Sequence, residues 1–195
     1  MPSLPTNTTL LVIDVQHGFL DKSWGPRNNP DAEANIARLI AAWRSEGRPI
    51  RYIQHSSRSP AGTFVRGTPG FDPKPEAVPA PGEPVHIKQV NSSFIGTTLE
   101  GDLRDADVDT VVVVGLTTNH CVSTTVRMAG NLGFTVYLVE DATATFDRLG
   151  LDGKIRPAVE VHAAALSDLS EEFATIVNTD DVLRLLELLK PIDAV

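Results

Sequence analysis

The stretch Thr110–Gly115, TVVVVG, is a short run of β-branched residues that ends at a glycine. Such a run is typical of a strand that is buried on both faces of a parallel sheet. A second run of the same kind, TLLVIDV, spans Thr9–Val15 near the start of the chain. These two runs predict central strands of an α/β fold.

Further apolar runs and helix-spaced patterns alternate along the rest of the chain. Four more strands are predicted at Ile50–Gln54, Val85–Lys88, Phe134–Glu140 and Phe173–Asn178. Helices are predicted at Asp31–Glu46, from a cap at Thr97 or Thr98 to about Ala106, and at Cys121–Leu132, Ile155–Leu166 and Asp180–Leu189. Because strands alternate with helices, we expect a doubly wound α/β three-layer sandwich with a six-stranded parallel sheet, in one domain over residues 1–195.

Composition excludes several classes of function. The 195 residues carry 17 basic and 25 acidic side chains, a formal charge of −8, which gives no basic footprint for nucleic acid or an anionic membrane. The single cysteine, Cys121, excludes an intramolecular disulfide and a thiolate metal cage within one chain. No targeting or membrane-spanning segment is visible, so we expect a cytoplasmic protein.

Three reactive side chains are predicted to meet at one edge of the sheet. Ligands of open α/β sheets bind at the carboxyl ends of the strands. Strands are predicted to end at Asp14, His55, Lys88 and Gly115, and Cys121 follows the last of these by six residues. A carboxylate, an amine and the only thiol should therefore converge. The alternatives are an inert buried cysteine, a solvated lysine and an aspartate that caps a loop or pairs with a surface base.

Cys121 is predicted in the first turn of a helix, with Thr118 or Asn119 as the N-cap. The positive end of that helix can lower the pKa of the thiol below the value of about 8.5 for a free cysteine. A nucleophilic thiol would then have Asp14 as its proton acceptor. His120 precedes Cys121 directly, so their side chains diverge and do not form a Cys–His dyad.

The sequence also gives expectations about metals, cofactors and the substrate pocket. No metal-binding histidine spacing, phosphate loop or dinucleotide fingerprint is present, so no metal or cofactor is expected. The segment Pro60–Pro84 is rich in proline and is expected to be an ordered loop that frames a site. Six residues flank the strands of the predicted triad and are candidates for the substrate pocket: Phe19, Trp24, His55, Asn91, Phe94 and His120.

Several motifs together resemble the isochorismatase-like cysteine hydrolases, a family that includes nicotinamidases and N-carbamoylsarcosine, ureidoacrylate and biuret hydrolases. The resemblance spans nearly the whole chain. It is carried by Leu11–Gln16 (LVIDVQ), Lys88–Phe94 (KQVNSSF), Val114–Val122 (VGLTTNHCV), Thr125–Arg127 and Asp141–Ala142.

The resemblance implies a catalytic triad of Asp14, Lys88 and Cys121. It also implies a cis peptide bond between Leu116 and Thr117, and an oxyanion hole made by the backbone N–H groups of Thr117 and Cys121. Family members commonly form dimers or tetramers, so a homo-oligomer that acts on a small molecule is expected.

Two departures refine the expected reaction. Nicotinamidases carry an Asp-x-His metal motif after the second strand, where this chain has Gln54–Ser57 (QHSS) without a carboxylate. True isochorismatases lack the nucleophilic cysteine, which this chain keeps. We therefore expect metal-independent hydrolysis of a C–N bond in a small amide, carbamoyl or ureido compound. The alternatives are a vinyl-ether hydrolase and a non-catalytic binding or thiol redox module.

Overall fold

The computed structural model describes residues 4–187, which are built around a six-stranded sheet. The elements in chain order are β1 (Thr9–Ile13), α1 (Ala32–Ser45), β2 (Ile50–His55), β3 (Val85–Lys88), α2 (Leu99–Asp105), β4 (Thr110–Leu116), α3 (Ser123–Asn131), β5 (Thr135–Ala144), β6 (Arg148–Leu149), β7 (Ile155–Arg156), α4 (Ala158–Leu169), β8 (Thr175–Val177) and α5 (Thr179–Glu187). The sheet has the order β3-β2-β1-β4-β5-β8, and every neighbouring pair is parallel. The predicted six-stranded parallel sheet is confirmed.

Helices cover both faces of this sheet. On one face, α1 and α5 pack against inward side chains of β1 such as Leu10 and Val12. On the other face, α2, α3 and α4 pack against the alternate side chains, Leu11 and Ile13. This alternation follows from the two-residue period of a strand, and it explains why the central strands are apolar throughout. None of the helices within residues 4–187 is long and apolar enough to cross a bilayer.

The strand order reverses between β1 and β4, which opens a crevice at their carboxyl ends. Gly115 allows the two strands to approach there. Its φ is +123°, and a Cβ atom at this position would lie 2.0 Å from the backbone oxygen of Ile13. Only glycine therefore fits at this point of the crevice.

The prediction of a helix from Ile155 to Leu166 is wrong at its start. Ile155 and Arg156 instead form β7, which pairs antiparallel with β6. Pro157 is the N-cap of α4, because proline fits before the first turn of a helix but not inside it. Within the predicted terminal helix, Leu188 and Leu189 lie outside the described residues.

Candidate active site

Asp14 lies directly after β1 and is completely buried. Its backbone has a φ of +51°, a left-handed conformation that few residues other than glycine, asparagine and aspartate adopt readily. Lys88, the last residue of β3, is also buried, and its Nζ donates to Asp14 Oδ2 at 2.6 Å. The other carboxylate oxygen, Oδ1, is buried and accepts no hydrogen bond from a described residue. One carboxylate oxygen of Asp14 is therefore paired with the ammonium of Lys88, and the other is unpaired among residues 4–187.

Cys121 lies in a π-helical turn, Thr118–Val122, between β4 and α3. The peptide bond between Leu116 and Thr117, just before this turn, is cis. Thr117 occupies the N-cap position, whereas the sequence had favoured Thr118 or Asn119. Its carbonyl oxygen accepts hydrogen bonds from the N–H groups of His120 and Val122 at 3.1 and 3.2 Å. Those bonds close the turn tightly and fix the position of the thiol.

The structure brings the three residues of the predicted triad together. The Cys121 Sγ, a carboxylate oxygen of Asp14 and a ring nitrogen of His55 all lie within 4.8 Å of one another. The thiol donates a weak hydrogen bond to Asn91 Oδ1 at 3.8 Å. Lys88 Nζ lies 3.5 Å from His55 Nδ1. His55 and Asn91, two of the predicted pocket residues, therefore border the triad directly.

Burial and charge set the protonation states of this cluster. Burial raises the pKa of the Cys121 thiol, and the negative charge of Asp14 raises it further, against a smaller opposing effect of Lys88. Burial alone would lower the pKa of Lys88, but Asp14 and Cys121 outweigh burial and the net shift is upward. At neutral pH the cluster therefore holds an ammonium and a neutral thiol, whereas a lowered thiol pKa was expected from the helix end.

Asp14, His55 and Cys121 also offer three atom types that bind metals. The ammonium of Lys88 lies in the same cluster, in contact with Asp14 and close to His55. A second cation there would be repelled by this ammonium. The donor set fits an acid–base site with an internal cation better than a metal centre.

Gln16 holds the end of β2 in place and was not singled out from the sequence as a site residue. It is fully buried, its Oε1 accepts from the N–H of His55 at 2.8 Å, and its Nε2 donates to the carbonyl of His55 at 3.1 Å. Nε2 also donates to the carbonyl of Phe71 at 2.7 Å, in the loop Pro60–Pro84. A glutamine two residues after Asp14, within the motif LVIDVQ, was the signal that could have identified it.

A cavity of about 270 Å³ lies beside the turn Thr118–Val122. Its walls carry Ser23, Trp24, Thr63, Thr117, His120, Thr145, Phe146, Asp147 and Arg148. Trp24 and His120 were predicted pocket residues, and Thr117 was predicted to form the oxyanion hole. Burial chiefly, and the charge of Arg148, lower the pKa of His120, so its imidazole is neutral at pH 7.

The remaining predicted pocket residues do not line this cavity. Phe19 packs behind its wall, with ring centroids 5.0 Å from Trp24 and 4.7 Å from Phe64. Phe94 stacks on Phe134, 6.0 Å away, beside the core under α2 and α3. The loop Pro60–Pro84 contributes Thr63 to the cavity, in line with its expected framing role.

The sequence profile of the Isochorismatase domain matches residues 8–181. The chain belongs to the isochorismatase family. The resemblance inferred from its motifs is confirmed, and the protein is a member of a hydrolase family.

Several relatives align with most of the chain. The isochorismatase family protein YrdC of Bacillus subtilis is 47% identical over 174 residues, which cover 89% of this chain and 93% of YrdC. Nicotinamidase 3 of Arabidopsis thaliana is 31% identical over 189 residues, covering 90% and 86% of the two chains. Ureidoacrylate amidohydrolase RutB of Variovorax paradoxus is 26% identical over 214 residues, covering 92% and 81%.

Solved structures of the isochorismatase family share the fold. A crystal structure from Chromobacterium violaceum has a TM-score of 0.94 and 45% identity, and the match covers 97% of this chain and 98% of that one. A cysteine hydrolase from Pseudomonas syringae pv. phaseolicola has a TM-score of 0.86 and 26% identity, with 96% of each chain covered.

Proposed function

We propose that the protein is a metal-independent cysteine amidohydrolase that cleaves a C–N bond of a small amide, carbamoyl or ureido compound. One observation carries this proposal: a buried thiol lies within 4.8 Å of a carboxylate that is ion-paired with a buried lysine. Neither a structural cysteine nor a solvated lysine needs such an arrangement. The names of two relatives, a nicotinamidase and a ureidoacrylate amidohydrolase, support the same class of bond.

In the first step, Asp14 accepts the proton of Cys121 as the sulfur attacks the carbonyl carbon of the substrate. The upward pKa shift of the thiol means that little thiolate exists beforehand, so the proton must move during the attack. The unpartnered Oδ1 of Asp14 is the acceptor, while Lys88 holds Oδ2 and balances the charge.

The oxyanion of the tetrahedral intermediate is bound by the backbone N–H groups of Thr117 and Cys121. Asp14 then returns its proton to the departing nitrogen as the C–N bond breaks, which leaves a thioester on Cys121. Asp14 next deprotonates a water molecule, which attacks the thioester carbonyl. As the C–S bond breaks, Asp14 passes that proton to the leaving sulfur, which releases the acid product and restores the thiol. Asp14 thus serves twice as a base and twice as an acid, and the lysine remains charged throughout.

The proposal is tested by ammonia release from a panel of primary amides, ureas and N-carbamoyl amino acids. We expect turnover of at least one of these compounds, and a loss of at least about 10⁴-fold in kcat/KM for Cys121→Ala. Prior dialysis against a chelator should leave the activity unchanged, and a chelator-sensitive activity would remove the metal-independent part of the proposal.

Variants separate the alternatives. A vinyl-ether hydrolase would cleave a vinyl-ether substrate. It would lose that activity in Asp14→Asn but keep it in Cys121→Ala, because it needs the carboxylate and not the thiol. A thiol redox module would hydrolyse none of the compounds and would show reversible oxidation of Cys121. Each of these two outcomes would contradict the amidohydrolase proposal.

A further inference from the structure

Three arginines stand apart from the other arginines of residues 4–187. Seven of the others pair with Asp or Glu side chains. Arg48 and Arg51 donate to backbone carbonyls. In contrast, the guanidinium groups of Arg58, Arg66 and Arg148 form no hydrogen bond or ion pair with any described residue. All three side chains are exposed, so water solvates their guanidinium groups in the free protein and their N–H donors are available to a ligand.

Arg58 and Arg66 line the same cavity, which has a volume of about 580 Å³ and lies after the carboxyl ends of β2 and β3. We call it the arginine cavity and define it by Ser56, Arg58, Arg66 and Gln89. No carboxylate of residues 4–187 lines it. The side chain of Arg66 rests over the ring of Phe71, with 6.0 Å between its Cζ and the ring centroid, a contact that leaves its N–H donors unpaired.

A buried serine residue with an unpaired hydroxyl adds a second, independent indication of a ligand. Ser56 is 3% exposed and lines the arginine cavity, yet its side chain forms no hydrogen bond with a described residue. Its backbone is fixed, because its N–H donates to the carbonyl of Lys88 at 2.8 Å. Its hydroxyl oxygen is not among the fully enclosed unpartnered atoms of residues 4–187, so it keeps some accessible surface and can donate to a ligand in the cavity.

The rest of the cavity wall indicates the chemical nature of the ligand. Val65, Ile87, Val90 and Ile95 provide aliphatic surface beside the charged and polar donors. Small-molecule sites commonly combine apolar walls with a few convergent polar groups, in volumes of about 300–1,000 Å³. Guanidinium groups bind carboxylates through paired N–H donors, and an alkyl body would cover the aliphatic side chains.

We propose that the arginine cavity binds a small organic carboxylate through Arg58, Arg66 and Ser56. The bound compound lies next to the candidate active site, because Ser56 directly follows His55 and Gln89 directly follows Lys88. This proposal does not depend on the reaction proposed for Cys121. It adds an anion site to a chain whose acidic composition gave no sign of one.

Binding of 3-methylbutanoate tests the proposal and can be followed by calorimetry and ligand-observed NMR. Inorganic phosphate is the comparison anion, and 3-methylbutanamide, added to the Cys121→Ala variant, is the neutral analogue. We expect saturable binding of the carboxylate, binding of phosphate at least severalfold weaker, and no saturation by the amide. Absence of saturation by the carboxylate up to about 50 mM, or equal binding of all three compounds, would overturn the proposal.

Three variants locate the anion. Arg58→Gln and Arg66→Gln should each weaken carboxylate binding at least about tenfold, since each removes a charge-assisted contact. Arg148→Gln is the matched control, because it removes an equally unpaired guanidinium from the cavity of about 270 Å³ that Trp24 and His120 line. This variant should bind the carboxylate as the wild type does. Arg58 and Arg66 are exposed, so both substitutions should leave the melting temperature of the wild type unchanged. Unchanged binding in both of them, or loss in Arg148→Gln alone, would overturn the assignment.

Discussion

Replacing Lys88 by methionine would remove the cation of a buried ion pair while keeping most of the side-chain volume. The Lys88 Nζ lies 2.6 Å from Asp14 Oδ2, and the two side chains are 0% and 1% exposed. The variant therefore leaves a carboxylate buried without its cation. Breaking a buried pair in this way costs about 3–5 kcal/mol, a large fraction of the roughly 5–15 kcal/mol by which domains are stable.

For a domain of this size, that loss lowers the melting temperature by about 6–20 °C. Urea denaturation at pH 7 measures the free energy of unfolding of the wild type, Lys88→Met, Asp14→Asn and the double variant. We expect the double variant to lose less than the sum of the single losses, because neither partner is then left charged and unpaired. Asparagine is the suitable replacement for Asp14, since it tolerates the left-handed backbone found there.

Lys74→Met is the matched control. Lys74 is also buried and lies 2.5 Å from Glu33 Oε1, but Arg27 makes two further contacts with the same carboxylate at 2.7 and 2.9 Å. Glu33 therefore keeps a cation, and we expect a loss of only about 1–2 kcal/mol. The reasoning is refuted if Lys88→Met falls within about 1 kcal/mol of the wild type, or if the Lys88 and Asp14 effects simply add.

Three shorter predictions concern the thiol, the crevice and the support of β2. Burial and the charge of Asp14 raise the pKa of Cys121, so alkylation of the thiol by iodoacetamide should be slow at pH 7 and should still accelerate above pH 9. At pH 8 the Asp14→Asn variant should be alkylated faster than the wild type. Mass spectrometry gives the rates, and an alkylation rate that reaches a plateau near neutral pH would contradict this prediction. Gly115→Ala should lower the free energy of unfolding by more than about 3 kcal/mol, because its Cβ would collide with the backbone of Ile13. Gly101→Ala is the control, since its Cβ would meet open space, and it should be neutral or stabilising. Equal effects of the two substitutions in urea denaturation would refute this prediction. Gln16→Met should lower the free energy of unfolding by about 2–4 kcal/mol, because it leaves backbone groups of His55 and Phe71 unpaired. It should also lower kcat, because His55 borders the triad. An unchanged kcat would show that Gln16 does not position the site.

Much of the fold could be predicted because its signals are local. The β-branched runs at the centre of the sheet identify strands whose neighbours cover both faces, and the helix-spaced pattern of α1 is continuous. The start of α4 was missed because Ile155 and Arg156 fit a helical pattern, while the pairing that makes them a strand depends on β6. Pro157 was the local sign of that boundary.

The candidate site could be predicted to the extent that it follows from strand ends. Asp14, Lys88 and Cys121 meet because parallel strands and a following turn end at one edge of the sheet. The thiol pKa could not be predicted from a helix end alone, since burial and the charge of Asp14 dominate and both depend on tertiary packing. The same holds for Phe94, whose stacking on Phe134 joins residues 40 positions apart in the chain and so depends on tertiary packing.

The most direct test of the proposed reaction is detection of an acyl group on Cys121 by mass spectrometry after rapid acid quenching during turnover. We predict a thioester adduct on the peptide that contains Cys121, with the mass of the substrate's acyl part, and its absence in Cys121→Ala together with the loss of turnover. Turnover that persists in Cys121→Ala, with no adduct on the wild-type thiol, would contradict covalent catalysis by this residue.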